Sequence, residues 1–325
     1  MPGPSGPVPQ TMETTTQHVD AGALKLTTTT RRPARRTPLH GRYTPWLYIL
    51  PALILIVGII YVGIGYTGYV STLDWNGIDD NATSVGFENY IAIYHDPVFW
   101  TALKHVVIFA IGSILIQAFL GLIMAVLLSG PGLKMRPIYK VIMFLPVVLA
   151  PSAVATAFRG ILSPDGSLNS FINIFGFNVD IGWLADPSIA LYAIIGINIW
   201  QWTGFSFILY QAALSQVDQN VIDAASIDGA GFFKTLWYVV VPQLKGTHAT
   251  LALTGVIGSL KTFDVVFLTT GGGPGRSTEF LGTYIYEQVI DLYHAGYSAA
   301  LAMVLLVLAL ALTTVQLRAY KFGEE

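Results

Sequence analysis

The sequence predicts an all-α membrane protein with six membrane-spanning helices. Three observations carry that expectation: charge is scarce, apolar segments of bilayer length recur, and the loops between them alternate between basic and acidic. Of 325 residues, 53% are hydrophobic and 11% are charged, whereas a soluble domain carries about 25% charged residues. Charge is this sparse where most of the surface faces lipid. No cysteine is present, which excludes disulfides, thiolate chemistry and Cys-ligated metals. The net charge is −2 and no strongly basic domain suggests nucleic acid, so the bilayer is an expected partner and nucleic acid is not.

Residues 1–44 are rich in Pro, Thr, Ser and Gly and carry Arg31, Arg32, Arg35, Arg36 and Arg42. Such a segment cannot bury enough apolar surface to fold, and a disordered basic tail is expected. The apolar stretch after it is too long for a signal-peptide core and lacks a clear small-residue cleavage site, so it reads as a span. A crossing takes roughly 20 apolar residues, and spans are expected near 46–71, 101–129, 138–158, 188–213, 247–269 and 295–317. Trp46, Tyr48, Trp100 and Tyr192 lie near segment ends, where amphipathic rings favour the interface. Residues 86–100 read as a short amphipathic helix ended by Pro97. Residues 166–176 read as another, capped near Ser167 and stopped at Gly176.

Six spans collect the basic residues on one side: Lys25 and the tail arginines, Lys134, Arg136 and Lys140, Lys234 and Lys245, then Arg318 and Lys321. The other side holds Asp74, Asp79, Asp80, Glu88 and Asp96 in its first loop, Asp165, Asp180 and Asp186 in its second, and Glu279, Glu287 and Asp291 in its third. Its basic residues are Lys104, Arg159 and Arg276. Lys and Arg favour the cytoplasmic face, so both termini are expected in the cytoplasm.

The longest hydrophilic interruption in the second half of the chain is residues 215–242. Asp218 can cap a helix over 219–228 by accepting from the free N–H groups of its first turn. Gly229 can take the left-handed conformation that ends it. Phe232, Phe233, Leu236, Trp237 and Val240 then follow at helical spacing, and Pro242 closes the unit. The result is a compact helix–turn–helix with small residues where another backbone could approach.

This stretch resembles the EAA loop of binding-protein-dependent ABC importer permeases, whose pattern is Glu-Ala-Ala, three residues, Gly, nine residues, then Ile-x-Leu-Pro. Here Asp223-Ala224-Ala225 is followed by three residues, Gly229, nine residues and Val239-x-Val241-Pro242. Asp replaces Glu, and Val replaces both Ile and Leu. The run Phe263 to Gly275, with Tyr284-Ile285-Tyr286 and Gly296-Tyr297-Ser298-Ala299-Ala300, resembles the sugar-permease branch of that family, the maltose and glycerol-phosphate type. So does Gly86-Phe87-Glu88-Asn89-Tyr90 through Asp96-Pro97-Val98-Phe99-Trp100.

The resemblance implies a type-I ABC importer transmembrane domain in a bacterial plasma (inner) membrane, importing a sugar or oligosaccharide. It implies a heterodimer with a second permease, two cytoplasmic ATPase subunits, and an extracytoplasmic binding protein that delivers substrate. ATP and magnesium then belong to the ATPases, and no cofactor, metal or catalytic residue is expected in this chain. Asp223, Ala224, Ala225, Asp228, Gly229 and Ala230 are implied in the ATPase contact. The expected organisation is a tail over 1–44, a first span and outer loop over 45–100, the transmembrane domain over 101–318 with its coupling loop at 215–242, and a cytoplasmic tail over 319–325.

Within the spans, Lys261 and Asp264 stand out, because a charge at the centre of a membrane helix costs about 2.5–3.5 kcal/mol on insertion scales. Three residues apart, they share a helix face and could pair. They read either as part of a substrate pathway or as a packing salt bridge. Asn198, Trp200, Gln201, Trp202 and Gln117 supply the amides and aromatic faces that sugar sites combine, or the polar glue of a helix bundle. Successive positions on a helix diverge, so Trp200, Gln201 and Trp202 cannot all line one cavity. Ala153 with Ala157, and Gly255 with Gly258, read as close helix packing.

The glycine run 271–278 fails the phosphate-loop pattern, because Thr270 and Arg276 stand where Gly and Lys are needed. The six histidines are scattered without ligand spacing, which leaves an intramembrane enzyme poorly supported. A secondary transporter coupled through Asp264 stays open as an alternative class. A glycerol-phosphate importer stays open within the preferred one, although a phosphate needs several cations and the spans supply little beyond Lys261.

Overall fold

A computed structural model describes residues 44–130 and 134–322. The basic tail over 1–43 and the last three residues lie outside the described residues. The chain divides into two compact units, Met1–Leu55 and Ile56–Glu325. In the first, α1 (Thr44–Leu55) is apolar throughout, and its described side chains are exposed.

The second unit opens with a π-helical turn, Ile56–Tyr61, and α2 (Val62–Val70). A two-stranded antiparallel ribbon, β1 (Leu73–Asp74) and β2 (Thr83–Ser84), leads to α3 (Glu88–His95). The helix ends before Pro97, as expected, with Asp96 extended, but residues 97–100 belong to the next helix, α4 (Pro97–Ser129), which Pro97 opens. The Asp96 carboxylate caps α4 by accepting from the Val98 N–H at 2.8 Å, and Pro fits the first turn because its missing N–H would be unpaired there anyway.

The expected third span is a bent pair, α5 (Arg136–Val148) and α6 (Pro151–Ile161), turned by 95°. Pro151 explains the corner: a residue preceding proline is driven out of the helical region, and Ala150 sits at ψ 138°. The short α7 (Ser167–Ile174) follows, and Gly176 beyond it has φ +85°. Next come α8 (Ala190–Leu214), α9 (Gln219–Ile227), α10 (Phe232–Thr235), a π-helical turn at Leu236–Val240, and α11 (Val241–Gln243).

The expected fifth span is also broken. α12 (Lys245–Leu260) stops at Lys261, and α13 (Asp264–Thr269) restarts three residues later. Last are α14 (Leu281–Tyr286), a π-helical turn at Glu287–Asp291, and α15 (Ala295–Phe322). Among the described residues, Tyr48–Val70, Pro97–Ser129 and Ala295–Tyr320 are single helices long and apolar enough to cross a membrane, and the α5–α6 pair passes the same test jointly.

α4 and α8 run side by side in the same direction and form the spine, with α12 against α4 and α5 against α8. One apolar core gathers where both begin, around Phe109, Ile194, Ile197, Val266, Phe280 and Leu301. A second gathers where both end, around Leu122, Phe207, Tyr210, Val240 and Leu244. Close approach depends on missing side chains: a Cβ at Gly204 would press into the Met143 carbonyl of α5, and one at Gly255 would lie 2.5 Å from Ile114 of α4.

Candidate functional site

Between the two cores lies a cavity of about 380 Å³, within the range typical of small-molecule sites. α4 contributes Ser113 and Gln117, α8 contributes Asn198, Gln201 and Trp202, and α12 contributes Thr254, Gly258 and Ser259. The non-helical break after α12 adds Lys261, Thr262 and Phe263, and Asp264 follows. Six of the seven substrate-pathway candidates named from sequence therefore meet here. The seventh, Trp200, does not line the cavity; one position from Gln201 it turns to the other side of α8 and packs edge-on against Phe158, with ring centroids 5.1 Å apart.

The polar groups are held in part and available in part. Gln117 Nε2 donates to Asn198 Oδ1 at 2.8 Å and to the Asn198 carbonyl at 3.1 Å, which ties α4 to α8. An amide carries both donors and an acceptor, so Gln117 Oε1 and Asn198 Nδ2 remain for a ligand. Gln201 Nε2 reaches the Leu149 carbonyl at 3.4 Å. The Ser113 Oγ is buried and has no hydrogen-bond partner among the described residues, and a buried hydroxyl left unpaired is costly.

Lys261 and Asp264 both line the cavity, yet they form no ion pair. The sequence expectation of a pair assumed a continuous helix, and the break at Lys261–Phe263 removes that geometry. Sequence reasoning passed over Ser113, Thr254, Ser259 and Thr262. Ser113 lies four residues before Gln117, and that helical spacing was the available signal.

The second candidate site is the helix–turn–helix at 219–243. Asp218 caps α9 by accepting from the Asn220 N–H at 2.9 Å. The other end closes with Gly229 at φ +79°, the Gly229 N–H donating to the Ser226 carbonyl and the Ala230 N–H to the Ala225 carbonyl. This six-to-one and five-to-two pattern is the glycine-terminated helix end. No side chain of α9 is buried. Ile227, Phe232, Phe233 and Tyr238 are 86, 64, 73 and 81% exposed, so a run of apolar surface stands uncovered next to Asp223, Ala224, Ala225, Asp228, Gly229 and Ala230.

A third polar group lies where α4 begins. Tyr284 and Tyr297 both donate to Asp96 Oδ2, at 2.5 and 2.7 Å. Burial alone would push the Asp96 carboxyl upward, but these bonds and the Val98 and Phe99 N–H groups outweigh it and hold it below the usual carboxylate value. Arg276 pairs with Glu279 at 3.1 Å and with Glu287 at 2.8 Å. The Glu287 bond is the main cause that raises the guanidinium above its ordinary value. Burial pushes the Glu279 carboxyl up, against the bond from Thr283 and the charge of Arg276. The glycine run is thus a structural turn whose arginine is engaged within the chain.

Comparison with known proteins places the chain. The family described as "Binding-protein-dependent transport system inner membrane component" matches residues 117–320. The probable ABC transporter permease protein YurN of Bacillus subtilis is 32% identical over 289 residues, 88% of this chain and 99% of its own. The lactose transport system permease protein LacF of Rhizobium radiobacter is 32% identical over 295 residues, 90% of this chain and 97% of its own. The crystal structure of a bacterial ABC transporter involved in the import of the acidic polysaccharide alginate contains a chain with the same fold. That chain superposes with a TM-score of 0.74 at 20% identity, over 86% of this chain and 95% of its own. The chain is therefore a member of the family of inner-membrane components of binding-protein-dependent transport systems, the permease chains of ABC importers.

Proposed function

We propose that this chain is the permease subunit of an ATP-driven importer that moves a carbohydrate delivered by an extracytoplasmic binding protein. The observation that carries the reading is the capped, unburied helix α9 with its exposed apolar neighbours, a surface built to be covered by another subunit. The cavity supports a carbohydrate: Trp202 and Phe263 offer aromatic faces, while Gln117, Asn198 and Gln201 offer donors and acceptors for hydroxyls. Lactose is named for one relative and alginate for one structural neighbour, which favours the same substrate class.

In this reading the chain crosses the membrane six times, with α5–α6 and α12–α13 as its bent and broken crossings and both termini in the cytoplasm. The transmembrane domain runs over 101–318, and the first span packs against a second, non-identical permease. Two ATPase subunits bind ATP and magnesium and hold α9 through Asp223, Ala224, Ala225, Asp228, Gly229 and Ala230. ATP binding closes the ATPases, 215–242 moves with them, and α8 and α12 shift the cavity from inward- to outward-facing. Nucleotide can drive that change only through its different affinity for the two states.

The phosphate alternative rests on Lys261, but Asp264, a carboxylate that would repel a phosphate, lines the same cavity. The experiment is co-purification of a tagged chain from native membranes, wild type beside Gly229→Glu. An ATPase and a second permease should accompany the wild type, and the mutant should lose the ATPase. Wild type that purifies alone and drives uptake in vesicles without ATP would sink the reading and turn attention to Asp264 as an ion-coupling group.

A further inference from the structure

His248 joins the two stems of the 215–242 hairpin at their base. Its Nδ1 lies 2.7 Å from the Tyr210 hydroxyl on α8, four residues before that helix ends. Its Nε2 lies 3.3 Å from the Val241 carbonyl, directly before Pro242. His248 itself stands in the first turn of α12. A carbonyl only accepts, so Nε2 carries the proton and donates to Val241. The Nδ1 of a neutral imidazole then accepts, and the Tyr210 hydroxyl donates to it. Tyr210 is 1% exposed, so water does not substitute for the bond, and the two rings also meet edge-on at 5.3 Å.

We propose that Tyr210 and His248 are positioning residues that clasp the hairpin base, so that its motion reaches α8 and α12 together. The proposal rests on the reading of 215–242 as the ATPase-coupling segment. Its physical basis is that the imidazole is a directional polar tie at a base otherwise held by apolar packing of Val240, Leu244 and Leu251 with Phe207 and Tyr210. α9 buries no side chain. The second stem contains the π-helical turn Leu236–Val240 and Pro242, which lacks a backbone donor. The imidazole links α8, α11 and α12 through one rigid ring, and α8 and α12 are the helices that carry Asn198, Gln201, Trp202, Thr254 and Ser259 to the cavity.

The test uses the intact complex, purified through a tag on this chain. Amide hydrogen exchange is followed by mass spectrometry without nucleotide and with magnesium, ATP and vanadate. Tyr210→Phe keeps the ring and deletes the hydroxyl, His248→Leu deletes both nitrogens, and His248→Gln keeps one donor and one acceptor. In wild type, nucleotide should change exchange at 215–242 and in both cavity segments, 196–206 and 251–264. In Tyr210→Phe and His248→Leu, with the ATPase still bound and basal ATP hydrolysis retained, the change at 215–242 should persist. In those two variants the change in at least one cavity segment should fall by about threefold or more, and His248→Gln should restore part of it. Equal transmission in wild type, Tyr210→Phe and His248→Leu overturns the clasp. So does loss of the ATPase from both deletion variants, because a positioning role leaves docking intact. Failure of the coupling reading looks different, since wild type itself would then show no nucleotide-dependent change at 215–242.

Discussion

Gly204 shows how a single hydrogen in place of a side chain sets the approach of two helices. A Cβ there would press into the Met143 carbonyl and lie 3.1 Å from the Phe144 Cα, both backbone atoms of α5. Alanine favours a helix over glycine by about 1 kcal/mol, but overpacking costs about 1–3 kcal/mol, and a backbone obstacle cannot swing aside as a flexible side chain can. Gly204→Ala should therefore lower the thermal unfolding midpoint of the purified chain in detergent. Gly258→Ala is the control: a Cβ at that position meets nothing within 4 Å, and its midpoint should stay level or rise. The sequence marked Gly255 and Gly258 alike as close-packing residues. Only Gly255 is one, against Ile114, while Gly258 lines the cavity. Small residues signal that something could come near. They do not say whether the neighbour is a backbone, a side chain or open space, and Gly204 carried no mark at all.

At the scale of elements, the Asp96 group fastens α4 to α14 and α15 at one end of the bundle. A carboxyl held below its unfolded value contributes stability that is fully present above that value, near 3.8 for aspartate, and is lost as pH falls through the folded value. Glu279 has the opposite sign. Its raised carboxyl contributes stability below about 4.5, and that contribution is lost as pH rises through the folded value. Asp96→Asn should thus cost about 1–3 kcal/mol at neutral pH, the scale of hydrogen bonds to a charged group. The gap to wild type should close as the pH drops below 3.8. Unfolding midpoints of both proteins measured from pH 7 to pH 3 check this, and a gap that stays constant would disprove the assignment. The tyrosines that make Asp96 a junction lie 188 and 201 residues away, beyond any local pattern. Local chemistry did announce α9, from Asp218 to Gly229. Neither helix break was announced, because hydropathy averages over a window and passes across a corner at Pro151 or a gap at Lys261–Phe263.

For the whole molecule, the sequence pattern conveyed more than any single site. The likeness to relatives runs over 88 and 90% of the chain, and six of seven candidates converged on one cavity although they are spread from Gln117 to Asp264. Their convergence could not be read directly, since it depends on α4 and α8 running parallel and on α12 packing against α4. The charge asymmetry of the loops leads to the last prediction, which concerns orientation. The natural sequence contains no cysteine, so each introduced cysteine is the only thiol in the chain. In the six-span reading Ser84 and Ser167 fall on the acidic side and Lys134 and Ser226 on the basic side, and all four are exposed. Lys and Arg are retained on the cytoplasmic face, so Ser84→Cys and Ser167→Cys should react with a membrane-impermeant maleimide in intact spheroplasts. Lys134→Cys and Ser226→Cys should react only after the membrane is opened. These four positions sample two loops on each side, and the α5–α6 pair separates Lys134 from Ser167. If Ser167→Cys also requires permeabilisation, that bent pair enters and leaves on one face instead of crossing. The hairpin at 215–242 could then remain cytoplasmic only if the number of crossings between it and Lys134 were even in some other way. Labelling of Ser226→Cys in intact spheroplasts would be fatal to the coupling role, because no cytoplasmic ATPase could reach it.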